Sequence, residues 1–225
     1  MSTLSGAQIA KILGGLYKVP AAVLGCHSFG RGGTKGQVIR WFDPAARSAT
    51  VVRKGAPRRK MTRTHDAGLF EAEFAAADQV VDYRLEVIDI DGRRRTIEDP
   101  YNPKFTSALS DFDVFLFAKG EHWKIHEKLG ARLMVNAGVT GVNFAVWAPC
   151  ARGVAVTGTF NRWNMKSHPM NFTRKNGIWE LFVPGLESGA LYKFVIRTEQ
   201  GKTMVKADPF AYAAQLRPKK SSIVA

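Results

Sequence analysis

An all-β fold is predicted for this 225-residue chain by an internal repeat, by a hydrophobic period of two within each copy, and by turn dipeptides at regular spacing. Residues 36–52, GQVIRWFDPAARSATVV, match residues 141–157, GVNFAVWAPCARGVAVT, at an offset of 105. Gly36, Pro44, Ala46 and Arg47 each meet an identical residue. Further on the offset becomes 109, where Gly68-Leu69-Phe70-Glu71 meets Gly177-Ile178-Trp179-Glu180 and Tyr83-Arg84-Leu85 meets Tyr192-Lys193-Phe194. Gly92 likewise meets Gly201, and Asp99-Pro100-Tyr101 meets Asp208-Pro209-Phe210, so the second copy holds four extra residues between its matched blocks. Two copies at so long a period indicate tandem domains, because solenoid units are shorter and need three or more neighbours to bury a core. Short strands punctuated by turns in each copy give two tandem immunoglobulin-like β-sandwiches.

The elements follow in order. Residues 1–24 form an N-terminal helical segment: from Ser5 to Tyr17, Ile9, Ile12, Leu13 and Leu16 fall at helical spacing behind a Ser5 cap. The first sandwich occupies 25–106, with Asp91-Gly92 as its best hairpin signal. Residues 107–136 connect it to the second sandwich, 137–216. There Val142, Phe144 and Val146, then Val154 and Val156, then Trp179, Leu181 and Val183, then Tyr192, Phe194 and Ile196 each occupy one face of a short strand. Breaks come at Ala148-Pro149, Asn176-Gly177, Pro184-Gly185 and Gln200-Gly201. A basic tail, 217–225, closes the chain.

Composition narrows the function. Hydrophobic residues make up 45% and charged residues 23%, an ordinary globular balance. No apolar run of membrane-spanning length exists, and the N-terminus lacks the pattern of a signal peptide, so the expected location is cytoplasmic. Cys26 and Cys150 alone cannot build a disulfide framework or a thiol zinc cage. The excess of 33 Lys and Arg over 19 Asp and Glu keeps a polyanion partner in view. Six of these cations lie between Arg53 and Arg63, but no aromatic residue is interleaved with them, so a solvated basic loop is the expectation and nucleic acid is disfavoured.

The four extra residues fall at Thr157-Gly158-Thr159-Phe160-Asn161-Arg162-Trp163-Asn164. An indole that leaves a strand among polar neighbours can stack on the C–H face of a pyranose while amides bond its hydroxyls. From the residues alone Trp163 can equally be a lid folded back on the core. Other constellations carry less. His122 and His126 have the spacing of a zinc pair but no third ligand, so neither a metal nor a cofactor is expected. Asp111 with Asp113 and Asp89 with Asp91 read as turn and linker charges rather than an acid/base pair. Asn171-Phe172-Thr173 is a glycosylation sequon without meaning in a cytosolic chain.

Several segments resemble one family. Gly141 to Pro149, Gly158 to Trp163, His168-Pro169-Met170, Gly177 to Phe182, Leu191 to Phe194 and Lys206 to Pro209 are similar to the N-terminal region of bacterial 1,4-alpha-glucan (glycogen) branching enzymes. The likeness takes in Leu24-Gly25, Asp99-Pro100-Tyr101, Gly120-Glu121-His122 and Leu129-Gly130-Ala131, and reaches Ser221 to Val224. It implies that the second module is a glycogen-binding-type carbohydrate-binding module in which Trp163 stacks on glucose while Asn161 and Lys193 contact hydroxyls. Related modules carry a second Trp after the turn at Gln200-Gly201, where this chain has Lys202 and Thr203, which implies a weaker or relocated site. The family's nucleophile and acid/base lie in a (β/α)8 barrel expected after Ala225, so no catalytic residue is expected here and the implied partners are alpha-1,4-glucan chains and that barrel. A stand-alone glycogen-targeting adaptor and a basic nucleic-acid or polyanion binder are the rival readings.

Overall fold

The computed structural model describes residues 2–31, 34–78, 80, 82–173 and 176–225. The chain forms two compact units, Met1–Ala10 with Pro20–Phe105, and Lys11–Val19 with Thr106–Ala225. Four sheets and two α-helices, α1 (Gly6–Leu13) and α2 (Asp111–Lys119), are present among the described residues, in keeping with the all-β expectation.

In the first unit the strands are β1 (Gly25–Arg31), β2 (Thr34–Phe42), β3 (Ala46–Val52), β4 (Arg59–Lys60), β5 (Thr62–His65), β6 (Leu69–Ala75), β7 (Arg84–Asp89) and β8 (Arg94–Glu98). One sheet runs β1-β2-β6-β5 and the other β4-β3-β7-β8. Between them lies one core that includes Ile39, Trp41, Ala49, Phe70, Leu85 and Val87. The Asp91-Gly92 turn joins β7 to β8, with Gly92 in the left-handed region.

The second unit contains β9 (Gly130–Asn136), β10 (Val139–Trp147), β11 (Gly153–Gly158), β12 (Asn171–Thr173), β13 (Ile178–Pro184), β14 (Leu191–Arg197), β15 (Thr203–Lys206), β16 (Ala213–Ala214) and β17 (Ser222–Ile223). Its sheets run β12-β13-β10-β9 and β11-β14-β17-β16, with β15 also on β14. Residues 130–136 and 222–223, read from sequence as connector and tail, are therefore strands of the second unit's sheets. Phe144, Tyr192 and Phe194 meet edge-on in the core. Trp179 is fully buried and donates its Nε1–H to the Ala148 carbonyl at 2.9 Å.

The repeat reaches further toward the N-terminus than residue 36. At the same offset of 105, Ser2, Leu4, Ser5 and Leu24-Gly25 correspond to Ser107, Leu109, Ser110 and Leu129-Gly130. Both serines cap a helix. Ser5 exchanges hydrogen bonds with Gln8 ahead of α1, and Ser110 does the same with Asp113 ahead of α2. Ahead of each cap the chain is tied to a buried glutamate: Ser2 and Thr3 donate to Glu71, and Ser107 and Ala108 donate to Glu180. Glu71 and Glu180 are themselves repeat partners. Burial alone would raise the Glu71 carboxyl, but the bonds from Ser2, Thr3 and Thr64 outweigh it and hold it below its usual range.

Two sequence expectations shift accordingly. Helix α1 stops at Leu13 rather than Tyr17, where Gly14-Gly15 follow and Gly15 takes a positive φ. Strand β13 does not alternate between core and solvent: Ile178, Glu180 and Phe182 are as buried as Trp179 and Leu181. The second face is covered because Leu109, Val114, Leu129, Phe117 and Ile125 pack on Ile178 and Ala145.

A matched clasp closes each copy. The Tyr83 hydroxyl donates to Asp99 Oδ2 at 2.6 Å, and the Tyr101 amide donates to Oδ1 at 2.9 Å. In the second copy Tyr192 and the Phe210 amide hold Asp208 in the same way. The strand that passes beneath begins with a left-handed glycine in both copies, Gly25 at φ +88° and Gly130 at φ +91°. A Cβ there would meet the Tyr101 carbonyl oxygen at 2.1 Å or that of Phe210 at 2.8 Å, so only glycine fits. Burial pushes the Asp99 carboxyl up to about 6 against the opposing effect of its two hydrogen bonds. Asp208 is raised by burial too. No helix is long and apolar enough to cross a membrane among the described residues.

Candidate functional site

The loop that leaves β11 is organised by one side chain. The Asn161 Oδ1 accepts from the Gly158 amide at 2.9 Å and from the Thr157 hydroxyl at 3.4 Å. Its Nδ2 donates to the Val156 carbonyl at 3.1 Å and lies 3.1 Å from His168 Nδ1. With the amide engaged on both sides, the chain turns through a short 3-10 segment, Thr159–Asn161, and then places Arg162 at φ +55° and Trp163 at φ +59°. Two consecutive non-glycine residues in the left-handed region are costly and persist only where surrounding contacts enforce them. The enforcing contacts include the Trp163 amide on the Gly158 carbonyl at 2.8 Å and the Asn164 amide on the Asn161 carbonyl at 3.0 Å.

The two aromatic residues of this loop part company. Phe160 turns inward, stacked on Phe144 at 5.8 Å and edge-on to His168 at 5.4 Å. Trp163 is turned outward with 38% of its surface exposed. Lys193 lies on β14, half-buried, directly across the ladder from Thr157. Thr157 is the residue that sequence reasoning missed: buried on the same side of the sheet as Lys193, its hydroxyl reaches the Asn161 amide and so links Lys193's strand to the loop. Of the three predicted residues, Asn161 and Trp163 thus share one loop and Lys193 adjoins it through Thr157. The Asn161 amide differs from its implied part, since it faces into the loop rather than toward a ligand.

The remaining candidates hold structure. His122 Nε2 lies 2.9 Å from Asp113 Oδ1, and the His126 carbonyl accepts from Arg132 at 2.6 Å. Burial works against ionised Asp113, yet bonds from Ser110, His122 and Lys128 together hold its carboxyl well below the usual range. Asp89 pairs with Arg95 at 3.0 Å, and Asp91 accepts the Arg93 amide within its turn. Among the described residues no three His, Cys, Asp or Glu side chains converge as a metal site would require. Residues 198–202 form a tight exposed turn with Lys202 and Thr203 at the surface, so no aromatic platform faces out there.

Residues 5–101 match the family model described as the alpha-1,4-glucan branching enzyme GlgB N-terminal domain. Residues 128–211 match carbohydrate-binding module 48, the isoamylase N-terminal domain. The chain is 41% identical over 229 residues to the 1,4-alpha-glucan branching enzyme GlgB of Thermosynechococcus vestitus, covering 99% of this chain and 29% of that protein. It is 42% identical over 224 residues to GlgB of Gloeobacter violaceus, covering 99% of this chain and 30% of the relative. The chain therefore spans less than a third of the length of these relatives.

Proposed function

Since the chain corresponds to the N-terminal region of the GlgB branching-enzyme family, with its N-terminal domain followed by a carbohydrate-binding module, we propose that it binds and positions alpha-1,4-glucan chains. The observation that carries this reading is Trp163, an indole turned outward on a loop that the Asn161 side chain and main-chain bonds hold together. A flat apolar ring of this kind stacks on the C–H face of a glucose residue. Lys193 supplies a hydroxyl contact from the adjoining strand, while Asn161 sets the loop's shape rather than touching sugar. On this reading the residues here hold polymer, and the chemistry of bond cleavage and transfer belongs to the family's catalytic domain.

Electrophoresis of the chain in glycogen-containing gels, paired with thermal melts, tests the proposal. Trp163→Ala is expected to abolish retardation by glycogen while lowering the melting temperature less than Trp179→Ala does, because Trp163 keeps 38% of its surface exposed and Trp179 is fully buried. Asn161→Ala is expected to weaken retardation and also to cost about 1–2 kcal/mol, because buried loop amides and carbonyls lose their partner. A Trp163→Ala protein that is retarded like the parent defeats the proposal.

A further inference from the structure

The first unit contains an open cavity of about 670 Å³ between β3, β5 and the β4 crossover. Arg47, Ser48, Lys60, Thr62 and Arg63 form its walls, over a floor of Met61, Phe70 and Ile88. Two irregularities in strand register frame it, one at Arg47 in β3 and one at Thr64 in β5, and such bulges re-aim side chains at the edges of sheets. Arg47, Lys60 and Arg63 form no ion pair with a carboxylate among the described residues, in contrast to nearby Arg58 and Arg95.

The second unit has the same groove, and there it is filled. The crossovers superpose bond for bond: the Met61 amide donates to Ala49, and the Met170 amide donates to Val154, each residue offset by the repeat. Thr62 and Arg63 pair with Glu71 and Phe70 as Asn171 and Phe172 pair with Glu180 and Trp179. In the second unit the turn and irregular stretch that follow α1, residues 14–19, lie against the outer edge of that strand. The Phe172 amide donates to the Lys18 carbonyl at 2.7 Å, and the Lys18 ammonium lies 5.0 Å from the centre of the Phe172 ring. The Gly15 carbonyl approaches Gly153, the counterpart of Ser48, so closely that a Cβ there would lie 2.0 Å from its oxygen. Strands β5 and β12 each end their sheet among the described residues, and what sets the second unit apart is the Lys18 segment lying against that edge.

We infer that the groove of the first unit is a docking site for an extended, acidic polypeptide segment that bonds the open edge of β5, where in the second unit Lys18 bonds the edge of β12. The backbone edge gives the mode of binding, as in other cases of strand addition. The three cations give the sign of the partner. Ser48 stands where the second copy has glycine, so the occupant rides further out at that point and takes a bond from the hydroxyl in place of close backbone contact.

The test uses the full 225-residue chain, amide NMR spectra and the probe acetyl-Ser-Glu-Leu-Glu-Val-Glu-Asp-Ser-amide, with a twin carrying lysine at each acidic position. The acidic probe is expected to shift the amides of Thr62 to His65 and of Ser48, and the basic twin to shift none of them. Arg47→Ser combined with Arg63→Ser is expected to weaken the acidic probe about tenfold. Both side chains are exposed, so an unchanged melting curve certifies the fold of the variant. The inference is overturned if the acidic probe moves no amide of β5 at about 1 mM, a concentration that reveals even feeble complexes. It is equally overturned if the basic twin binds as well, or if inorganic phosphate or maltoheptaose produces the same shifts.

Discussion

In the first copy a Tyr83–Asp99 clasp closes over Gly25, and in the second a Tyr192–Asp208 clasp closes over Gly130. The capped helix, the buried glutamate that anchors the chain ahead of it, and the crossover at Met61 or Met170 are likewise duplicated. Against that shared frame the copies differ where no ladder constrains them: in the loop after β3 or β11, and in what fills the groove beside β5 or β12. The framework fixes buried polar groups, whose loss of a partner is costly. The variable places lie outside those duplicated bonds, and they are the places where the proposed contacts with other molecules fall.

The comparison is broken most directly at its cores. Trp179→Ala is expected to destabilise the second unit by about 3–5 kcal/mol through cavity formation, and Phe70→Ala, at the matching position, to do comparable damage to the first. Denaturant titrations that resolve the two units measure this. A small loss at either site would mean that the matching residue is not an equivalent anchor.

A second expected effect depends on pH. Because the folded Asp99 carboxyl is raised from 3.8 to about 6, the native state binds its proton more tightly than the unfolded chain, so stability falls as pH rises from about 4 to about 6. The term is on the order of 3 kcal/mol. Asp99→Asn removes it, so the stability of the parent relative to this variant should decline across that window. A difference that is flat with pH would show that Asp99 ionises in the fold as it does in water. Glu71 and Asp113, both held low, contribute in the opposite sense: stability they confer is lost as pH falls below the usual carboxylate range.

The smallest expected effect separates the two helix caps. Ser110→Ala should cost about 1 kcal/mol and Ser5→Ala about half as much, measured by urea midpoints. The Ser110 box is reinforced by His122 and Lys128 on Asp113, whereas the Ser5 box is exposed. Equal losses would show that the reinforcement is without energetic effect.

Much of this architecture was legible because repeat offsets, turn residues and alternation are local signals. The inward Trp179, the Asp91-Gly92 hairpin and the Ser5 cap needed no knowledge of tertiary packing. The start of the second copy was not read. Between residues 107 and 130 only Ser107, Leu109, Ser110, Gly120 and the Leu129-Gly130 pair keep the identity of their partners, while α2 has exchanged the composition of α1 for an aromatic one. The burial of both faces of β13 escaped for the same reason, since it depends on where α2 and the segment around it pack. Within the site, the residues alone left Trp163 between an outward platform and a core lid. The inward turn of Asn161 could not be anticipated, because an asparagine side chain faces either way until the torsions of the residues after it are set.

The insertion that distinguishes the second copy has a consequence for engineering. Val51 faces Arg59 across the crossover in the first copy, and the Val156 amide meets the His168 carbonyl at the corresponding pair in the second. The pairs Thr50 with Lys60 and Ala155 with Pro169 continue the correspondence. Residues 157–167 are thus bracketed by the same two rungs as residues 52–58, and four additional residues enter without displacing a single register. The segment behaves as a cassette: its length is decoupled from the parity of the strands that carry it. Grafted between Val51 and Arg59, it would keep the Asn161 bonds to Thr157 and Gly158, while the partners at His168 and Phe144 would have to be supplied with it.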